Sequence, residues 1–291
     1  NFDAVFIDEA QDLSPLQWMM YDILKTKTNN MYLAGDDDQA IYQWAGADVT
    51  RFIEEPGTEQ ILTQSRRIPK SIQELSKVIT ERIQGVKVYK KYLPRDVEGR
   101  VEYVNNIGQL QLEKGKWLVL ARTNTRLKDV MKKLQEMGLY YQYKKGKSFK
   151  AKLYKTIVNY TRWTKGEPLE DNEIKDILEC CGSKPNKSKP WYEVFTAVPM
   201  VERDYLRHML SNGEKLSEEA RIKLSTIHAA KGGEEDSVVL ILDNSKKIRD
   251  AIMHDNIKSD EEHRVWYVGA TRAKNNLYLM RAKNERHGYQ L

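Results

Sequence analysis

Acidic residues follow an apolar run at the start of the chain, in the sequence NFDAVFIDEAQD. The run Ala4–Ile7 is apolar, and Asp8 and Glu9 come directly after it. A run bounded in this way is typical of a buried parallel strand whose carboxyl end carries the chemistry. Two carboxylates there can hold a magnesium ion and polarise a water molecule for attack on a nucleotide γ-phosphate. The pattern therefore predicts a nucleotide-hydrolysing site at the end of this strand.

The phosphate-binding loop that such a strand normally works with is missing from this sequence. It would read G-x-x-x-x-G-K-[ST], with backbone N–H groups and a lysine that hold the phosphates. The nearest match is Gly146-Lys147-Ser148, but Tyr141 stands where the first glycine is needed, and the segment follows the acidic strand. We interpret the lysines here as solvated surface or a DNA-phosphate contact. The chain also lacks an initiator Met, so we interpret it as a piece of a longer protein that hydrolyses ATP negligibly by itself.

The elements that must position the acids alternate as strand, loop and helix through the first 140 residues, which predicts an α/β fold with parallel sheets. Ser14 and Pro15 are typical of a helix start, and Gly85 and Gly138 of helix ends. Apolar residues at helical spacing predict helices over Leu16–Leu24, Ile72–Ile83 and Leu127–Met137. Apolar runs predict strands at Ala4–Ile7, Met31–Ala34, around Ile61–Leu62, and at Trp117–Leu120, Val238–Leu242 and Leu277–Met280. Alternation predicts a strand at Val101–Val104, and a further strand is expected from Ile222.

Two later segments have other patterns. Between about Ser148 and Ser217 the strand signal fades, and lysine and aromatic residues on helical patterns predict a small helical insertion. Ser259 and Glu262 have the spacing of a capping box, which predicts a helix start at Ser259.

Composition narrows the class of protein. The 291 residues are 40% hydrophobic and 31% charged, and no run approaches the roughly 18 apolar residues of a membrane span. The net charge of +6 weakly favours a polyanionic partner such as nucleic acid. The two cysteines are adjacent and the five histidines are scattered, so neither a disulfide framework nor a metal-ligand spacing is indicated. A reducing, cytoplasmic location fits best.

Four segments together resemble the UvrD/Rep family of superfamily 1 DNA helicases. They are VFIDEAQD, AGDDDQAIYQWAGAD, LSTIHAAKGGEEDSVVLI and EEHRVWYVGATRAKNNLYL, and LTQSRRIPKSI is a looser match. They occur in the family's order. The resemblance implies RecA-like P-loop NTPase sheets, with residues 1–59 as the end of a first motor domain. Residues 60–147 and 221–291 would form the second motor domain, and residues 148–220 the helical insertion.

The resemblance implies roles for charged residues in ATP hydrolysis. Asp8 corresponds to the Mg²⁺-binding carboxylate, Glu9 to the general base and Gln39 to the sensor of the γ-phosphate. Arg67 and Arg272 correspond to two arginines that reach this phosphate, for which a planar, permanently charged guanidinium is suited. The alternative for each arginine is a surface salt bridge. Further nucleotide-binding residues implied in this way are Arg66, Gly232 and Glu234.

The resemblance also implies DNA contacts. Trp44, supported by Tyr42, corresponds to the aromatic residue that stacks on a base of single-stranded DNA, a grip that does not depend on sequence. Thr226 and His228 correspond to groups that touch the DNA backbone and relay the nucleotide state. Trp44 could instead be a core tryptophan and His228 a core histidine. Lys231 could be structural or a phosphate contact.

The sequence departs from the family pattern in several places. Ser65-Arg66-Arg67 stands where Asn-Tyr-Arg is usual, which puts the stacking contact on adenine in doubt. Ala45 replaces an arginine that often contacts DNA, and Gly233 and Glu235 replace a leucine and an aromatic residue. The insertion is also short, so contacts to duplex DNA made by larger relatives could be absent.

The sequence therefore predicts part of an ATP-dependent, Mg²⁺-using DNA helicase or translocase. It would move 3′ to 5′ on single-stranded DNA, engage duplex DNA and have no membrane partner. One alternative is a non-catalytic nucleic-acid-binding remnant of a helicase. A helicase–nuclease subunit and an RNA helicase fit less well, because few residues follow Met280 and the acidic strand does not read Asp-Glu-Ala-Asp. A role in repair, replication or recombination stays open.

Overall fold

The computed structural model describes residues 2–291, which form two compact units. Unit 1 contains the residues up to Asn106 together with Leu118–Arg126 and Thr226–Leu291. Unit 2 contains Ile107–Trp117 and Leu127–Ser225. The domain boundaries proposed from the sequence stay a prediction.

Strands and helices alternate along most of the described chain. The strands are β1 (Val5–Ile7), β2 (Met31–Leu33), β3 (Gln64–Pro69), β4 (Leu93–Arg95), β5 (Arg100–Val104), β6 (Trp117–Ala121), β7 (Tyr141–Tyr143), β8 (Gly146–Lys147), β9 (Ile222–Thr226), β10 (Glu235–Ile241) and β11 (Ala273–Met280). The helices are α1 (Pro15–Lys25), α2 (Val49–Glu54), α3 (Lys70–Thr80), α4 (Asn124–Glu136), α5 (Ala151–Thr164), α6 (Asp171–Cys180), α7 (Trp191–Val194), α8 (Met200–Ser211), α9 (Lys246–His254) and α10 (Asn256–Ala270). Short 3-10 turns lie at Ala10–Asp12, Asp37–Gln39, Gln43–Ala45, Ile107–Gln109, His228–Ala230 and Glu285–His287.

Unit 1 contains neighbouring strands in the order β5-β11-β10-β6, of which β5, β11 and β10 run parallel. Leu277 of β11 lies beside Val101 of β5 on one side and Val238 of β10 on the other. Helix α10 packs against β10, α3 and α9 and is buried almost continuously from Glu262 to Ala270. Because both sides of this helix are covered, it lacks the polar stripe of a surface helix. The predicted α/β class with parallel strands is confirmed, whereas its RecA-like identity stays a proposal.

Two further parallel strand pairs belong to unit 1. Strands β1 and β2 pair with Phe6 opposite Tyr32, and their rings stack with centroids 4.6 Å apart. Strands β3 and β4 form the other pair. Since β1 and β2 are parallel, the acidic loops that follow them leave the sheet at the same edge.

Unit 2 combines a small sheet with helices α5 to α8. Strand β7 pairs in parallel with β9 and antiparallel with β8. The turn between β7 and β8 places Lys144 and Lys145 at positive φ, as a tight hairpin requires. Gly146 and Lys147 therefore form a hairpin strand, and Lys147 Nζ donates to the Leu216 carbonyl at 2.9 Å.

Helix α1 forms where the sequence predicts it, and Ser14 and Gln17 make a capping box at its start. The helix buries Trp18 and Tyr21, and Tyr21 donates to Glu55 at 2.7 Å. Its apolar face is exposed instead, with Leu16, Met19, Met20 and Ile23 at least half accessible to solvent.

Two local expectations are wrong. The strand expected at Ile61–Leu62 forms at Gln64–Pro69, since Ile61 and Leu62 are exposed whereas Ile68 and Pro69 are buried. The helix expected to start at Ser259 begins at Asn256, because Asp255 caps it by accepting from the Lys258 N–H. Aspartate is as effective an N-cap as serine.

Helix α3 ends at Thr80, before Gly85, whereas Gly138 has a φ of 64° just after α4, as expected of a helix stop. Among the helices of residues 2–291, none has both the length and the apolar character needed to cross a membrane.

Candidate functional site

All the sequence-predicted site residues lie in unit 1, and the first of them follow β1. Asp8 is exposed and accepts a hydrogen bond from the Glu9 N–H at 2.8 Å. Within residues 2–291 it pairs with no cation. An accessible carboxylate oxygen is the kind of ligand that Mg²⁺ takes together with phosphate oxygens and water, so this residue fits the metal that the resemblance implies.

Glu9 has a left-handed backbone, with a φ of 52° and a ψ of 38°. This conformation is uncommon for a residue with a side chain, and such residues are frequent at functional sites. The Glu9 carboxylate accepts from Gln11 Nε2 at 2.6 Å and lies 3.3 Å from Lys231 Nζ. Two neighbours therefore fix the direction of this carboxylate.

Gln11 is fully buried and joins the two acidic loops. Its Nε2 donates to Glu9, and its Oε1 accepts from the Asp36 N–H at 3.1 Å. Gly35 leaves room for this contact, because a Cβ there would lie 2.4 Å from Gln11 Oε1. The sequence motifs assign Gln11 no role of its own. Its position between the acidic ends of β1 and β2 was the signal that could have indicated a connecting role.

Lys231 is almost fully buried and connects three parts of the site. Its Nζ forms ion pairs with Asp12 and Glu9 and donates to the Gln39 carbonyl oxygen at 2.7 Å. Burial raises the pKa of Asp12, and the bond from Lys231 opposes that shift. These contacts favour the structural role among the two alternatives that the sequence left open.

Gln39 meets Arg272 directly. The Gln39 Nε2 donates to Asp36 Oδ2 at 2.7 Å, and its Oε1 accepts from Arg272 Nη2 at 3.1 Å. Arg272 is 2% exposed, and its Nε also donates to the Val268 carbonyl at 2.9 Å. It is therefore a buried residue and not a surface arginine.

Electrostatics show which charges surround Arg272. Burial, and then the charge of Arg67, lower its pKa to about 10, while Glu9 and Glu234 act in the opposite direction. Glu9, Arg67 and Glu234 therefore all act on this guanidinium. The structure thus brings Glu9, Arg67 and Arg272 together near Gln39, whereas within the described chain Asp8 contacts this group only through the Glu9 N–H.

Arg67 and Glu234 form an ion pair at 3.3 Å, and Lys274 Nζ lies 2.8 Å from the other Glu234 oxygen. The bond from Lys274, followed by that from Arg67, lowers the pKa of Glu234. The Nε of Arg67 is buried and has no hydrogen-bond partner within the described chain. A buried donor without a partner is costly, and such groups are uncommon in native structures.

The remaining nucleotide-binding candidates, Arg66 and Gly232, are exposed residues. Arg66 lies next to the half-buried Arg67 on β3. Gly232 has a φ of 80° and open space where a side chain would be. Their predicted contacts with nucleotide stay predictions.

Tyr42, Trp44 and His228 form an aromatic triangle whose ring centroids are 6.1 to 6.4 Å apart. Trp44 is 71% exposed, which excludes the core alternative. The Tyr42 hydroxyl donates to the His228 carbonyl at 2.9 Å. Burial and the nearby Arg122 lower the pKa of His228 to about 4, so its ring is neutral at pH 7.

A cavity of about 380 Å³ opens beside this triangle. Its wall includes polar groups as well as rings, namely Trp44, Arg122, Thr123, Asn124, Thr226 and His228. Glu262 holds Arg122 through two bonds, Nε to Oε2 at 2.8 Å and Nη2 to Oε1 at 2.5 Å. The sequence reasoning placed Glu262 in a capping box and missed Arg122, because the pair is separated by 140 positions.

Two protein-family models match parts of the chain. The model of the UvrD/REP helicase N-terminal domain matches residues 1–58, and that of the UvrD-like helicase C-terminal domain matches residues 193–284. Together they cover about half of the chain. The chain belongs to the UvrD/Rep helicase family, which confirms the resemblance seen in the sequence motifs.

Individual relatives are named as DNA helicases. The chain is 28% identical over 189 residues to the ATP-dependent DNA helicase PcrA of Bacillus subtilis, covering 56% of this chain and 25% of PcrA. It is 20% identical over 397 aligned positions to the putative ATP-dependent DNA helicase YjcD of the same species, covering 98% of this chain and 52% of YjcD. DNA helicase II of Escherichia coli is 35% identical over 90 residues, covering 29% of this chain and 12% of that protein. The chain thus spans at most about half the length of these relatives.

Proposed function

We propose that this chain is part of an ATP-dependent DNA helicase that translocates along single-stranded DNA. The hydrogen bond between Gln39 and Arg272 carries this proposal, because it joins the loop after β2 to the residue that precedes β11. The names of the relatives support ATP and DNA as ligands. The 3′ to 5′ direction comes from the family resemblance alone.

Each charged residue near this bond has a chemical task in the proposal. Asp8 would hold Mg²⁺, which when bound neutralises part of the charge on the phosphates. Glu9 would take the proton of the attacking water, with its carboxylate directed by Gln11 and Lys231. Arg67 and Arg272 would hold the γ-phosphate through planar, charge-assisted hydrogen bonds.

The aromatic triangle would hold the DNA strand. Trp44 offers an exposed indole face on which a base can stack, and the adjacent cavity would receive the neighbouring nucleotide. The neutral His228 ring and the Thr226 hydroxyl would contact the DNA strand as uncharged groups. The same groups could also engage one strand of a duplex that has been opened.

The two ligand sites share short segments of backbone. Gln39 and Trp44 are five positions apart, and Lys231 reaches the Gln39 carbonyl from the turn that carries His228. A change at the γ-phosphate therefore has a short covalent and hydrogen-bonded path to the DNA-facing rings.

Glu9→Gln tests the proposal in the protein expressed from its complete gene. The amide cannot accept a proton, so DNA-stimulated ATP turnover should fall about 10²- to 10⁴-fold while ATP binding is retained. Glu74→Gln is the matched control, because Glu74 is an exposed residue of α3 that is not among the candidate site residues.

Two outcomes separate the alternatives. Wild-type turnover in the Glu9→Gln protein would remove Glu9 as the base. DNA binding without any hydrolysis by the unmodified protein would favour the non-catalytic remnant. The 291-residue chain by itself is expected to show no DNA-stimulated hydrolysis.

A further inference from the structure

Lys90 lies among three consecutive carboxylates, on a segment to which the sequence motifs assign no role. Its Nζ is 2.5 Å from Asp36 Oδ1 and 3.0 Å from Asp38 Oδ2, and it also forms an ion pair with Asp37. The Lys90 side chain is 8% exposed. The three carboxylates can bring oxygens within 4.8 Å of one another, and the ammonium occupies the position of their counter-ion.

Further hydrogen bonds hold the Lys90 segment against the acidic loop. The Val88 N–H donates to Asp37 Oδ2 at 2.9 Å, and Tyr92 Oη donates to Asp36 Oδ1 at 3.4 Å. Arg264 bridges the same two segments, since its Nε donates to the Asp37 carbonyl at 3.0 Å and its Nη2 to the Val86 carbonyl at 3.1 Å. The ammonium is thus placed by contacts on both sides.

Asp36 connects Lys90 to Gln39, because its carboxylate contacts both side chains. One Asp36 oxygen faces Lys90, and the other accepts from Gln39 Nε2 at 2.7 Å. A glutamine amide can present either its oxygen or its nitrogen to a neighbour, and its partners decide which. Because a carboxylate can only accept, Asp36 turns the amide nitrogen toward itself and leaves Gln39 Oε1 for Arg272.

Charge explains why this arrangement needs a cation. Burial by itself would lower the pKa of Lys90, but the charges of Asp36, Asp38 and Asp37 outweigh it and raise that pKa well above its ordinary value. Burial, with Asp36 and Asp37 adding to it, raises the pKa of Asp38 to about 6 even with Lys90 present. Without the ammonium, the three carboxylates would repel one another, and Asp36 would lose the partner that holds its Oδ1 while its Oδ2 accepts from Gln39.

We propose that Lys90 is a positioning residue for ATP hydrolysis, which acts through Asp36 on the orientation of Gln39 and so on Arg272. This inference rests on the proposed function, since it assumes that Gln39 and Arg272 face the γ-phosphate. It adds a residue outside the recognised motifs, 182 positions before Arg272 in the sequence.

The test uses Lys90→Met and Lys90→Arg in the protein expressed from its complete gene, with Lys91→Met as the matched control. Lys91 is the exposed neighbour of Lys90. Lys90→Met should lower kcat for DNA-stimulated hydrolysis about 10- to 100-fold, the range for a displaced catalytic group. The KM for ATP and the affinity for single-stranded DNA should stay close to wild type. Lys90→Arg, which keeps the charge, should recover part of the kcat, and Lys91→Met should behave as wild type.

A double-mutant cycle with Gln39→Ala separates positioning from general stabilisation. If Lys90 acts through Gln39, Lys90→Met should add little to the loss that Gln39→Ala already causes. Multiplying effects, or equal losses of kcat and DNA affinity, would overturn the inference. If Lys90→Met does not fold, combining it with Asp38→Asn removes one of the opposing charges and allows the same comparison. Wild-type turnover in Lys90→Met would refute the positioning role alone, whereas an unmodified protein without ATP hydrolysis would refute the proposed function.

Discussion

Replacing Trp44 by alanine tests the DNA-binding part of the proposal in the 291-residue chain itself. The indole is 71% exposed, so most of its surface is available to a base and little of it supports the fold. Loss of one stacked base costs about 1–3 kcal/mol. Since about 1.4 kcal/mol corresponds to a factor of ten in affinity, single-stranded DNA should bind about 5- to 150-fold more weakly. The free energy of unfolding should change by less than about 0.5 kcal/mol.

Fluorescence anisotropy with a labelled thymidine oligonucleotide measures this loss, and Tyr89→Ala provides the control. Tyr89 is 87% exposed and is not part of the aromatic triangle. Because tryptophan carries no charge, Trp44→Ala should leave the salt dependence of binding unchanged. An abasic oligonucleotide should weaken binding to the wild-type chain and have little effect on the variant. Equal affinities of wild type and Trp44→Ala for the thymidine strand would refute the stacking argument.

Further predictions concern the fold around the site. Gly35→Ala places a Cβ 2.4 Å from Gln11 Oε1 and 2.8 Å from the Phe52 ring. The free energy of unfolding measured in urea should therefore fall by about 1–3 kcal/mol. An unchanged urea midpoint would contradict this packing. Burial lowers the pKa of His228 from 6.5 to about 4. Between these pH values the unfolded chain binds a proton that the folded chain does not. The free energy of unfolding should therefore fall as the pH falls from 6.5 to 4. The free energy of unfolding of His228→Gln should fall less than that of wild type between pH 7 and pH 4. Equal decreases in the two proteins, measured by urea unfolding, would contradict the lowered pKa of His228.

Local sequence signals predicted much of the fold because short-range physics decides those elements. The Trp117–Ala121 strand is buried throughout, as its unbroken apolar run indicates. Ser14 and Pro15 start α1 as expected. The apolar face of the same helix could not be placed from its periodicity, which identifies a face but not what covers it. A capping preference likewise could not choose between Asp255 and Ser259, because both are good N-caps.

The site was predictable where a residue type and its motif determine the chemistry together. The acids after β1, Gln39 and the two arginines were predicted in this way, and the structure brings Glu9, Gln39, Arg67 and Arg272 into one cluster. Their roles stay predictions. Of the residues that hold this cluster, Lys90 was missed and Lys231 was left open between two roles, because their partners are far apart in sequence. Lys231 and Lys90 resemble ordinary surface lysines until the fold shows them buried among carboxylates.

The stretch from Gln39 to Trp44 has a thermodynamic consequence. It consists of two tight 3-10 turns separated by three residues, and it is pinned by Lys231 at one end and by the Tyr42 bond to His228 at the other. If a ligand at Gln39 alters the affinity at Trp44 by some factor, occupancy at Trp44 must alter the affinity for that ligand by the same factor. Under the proposed function, single-stranded DNA is therefore also an effector of ATP binding. Titrating either ligand in the presence of the other measures one shared coupling constant.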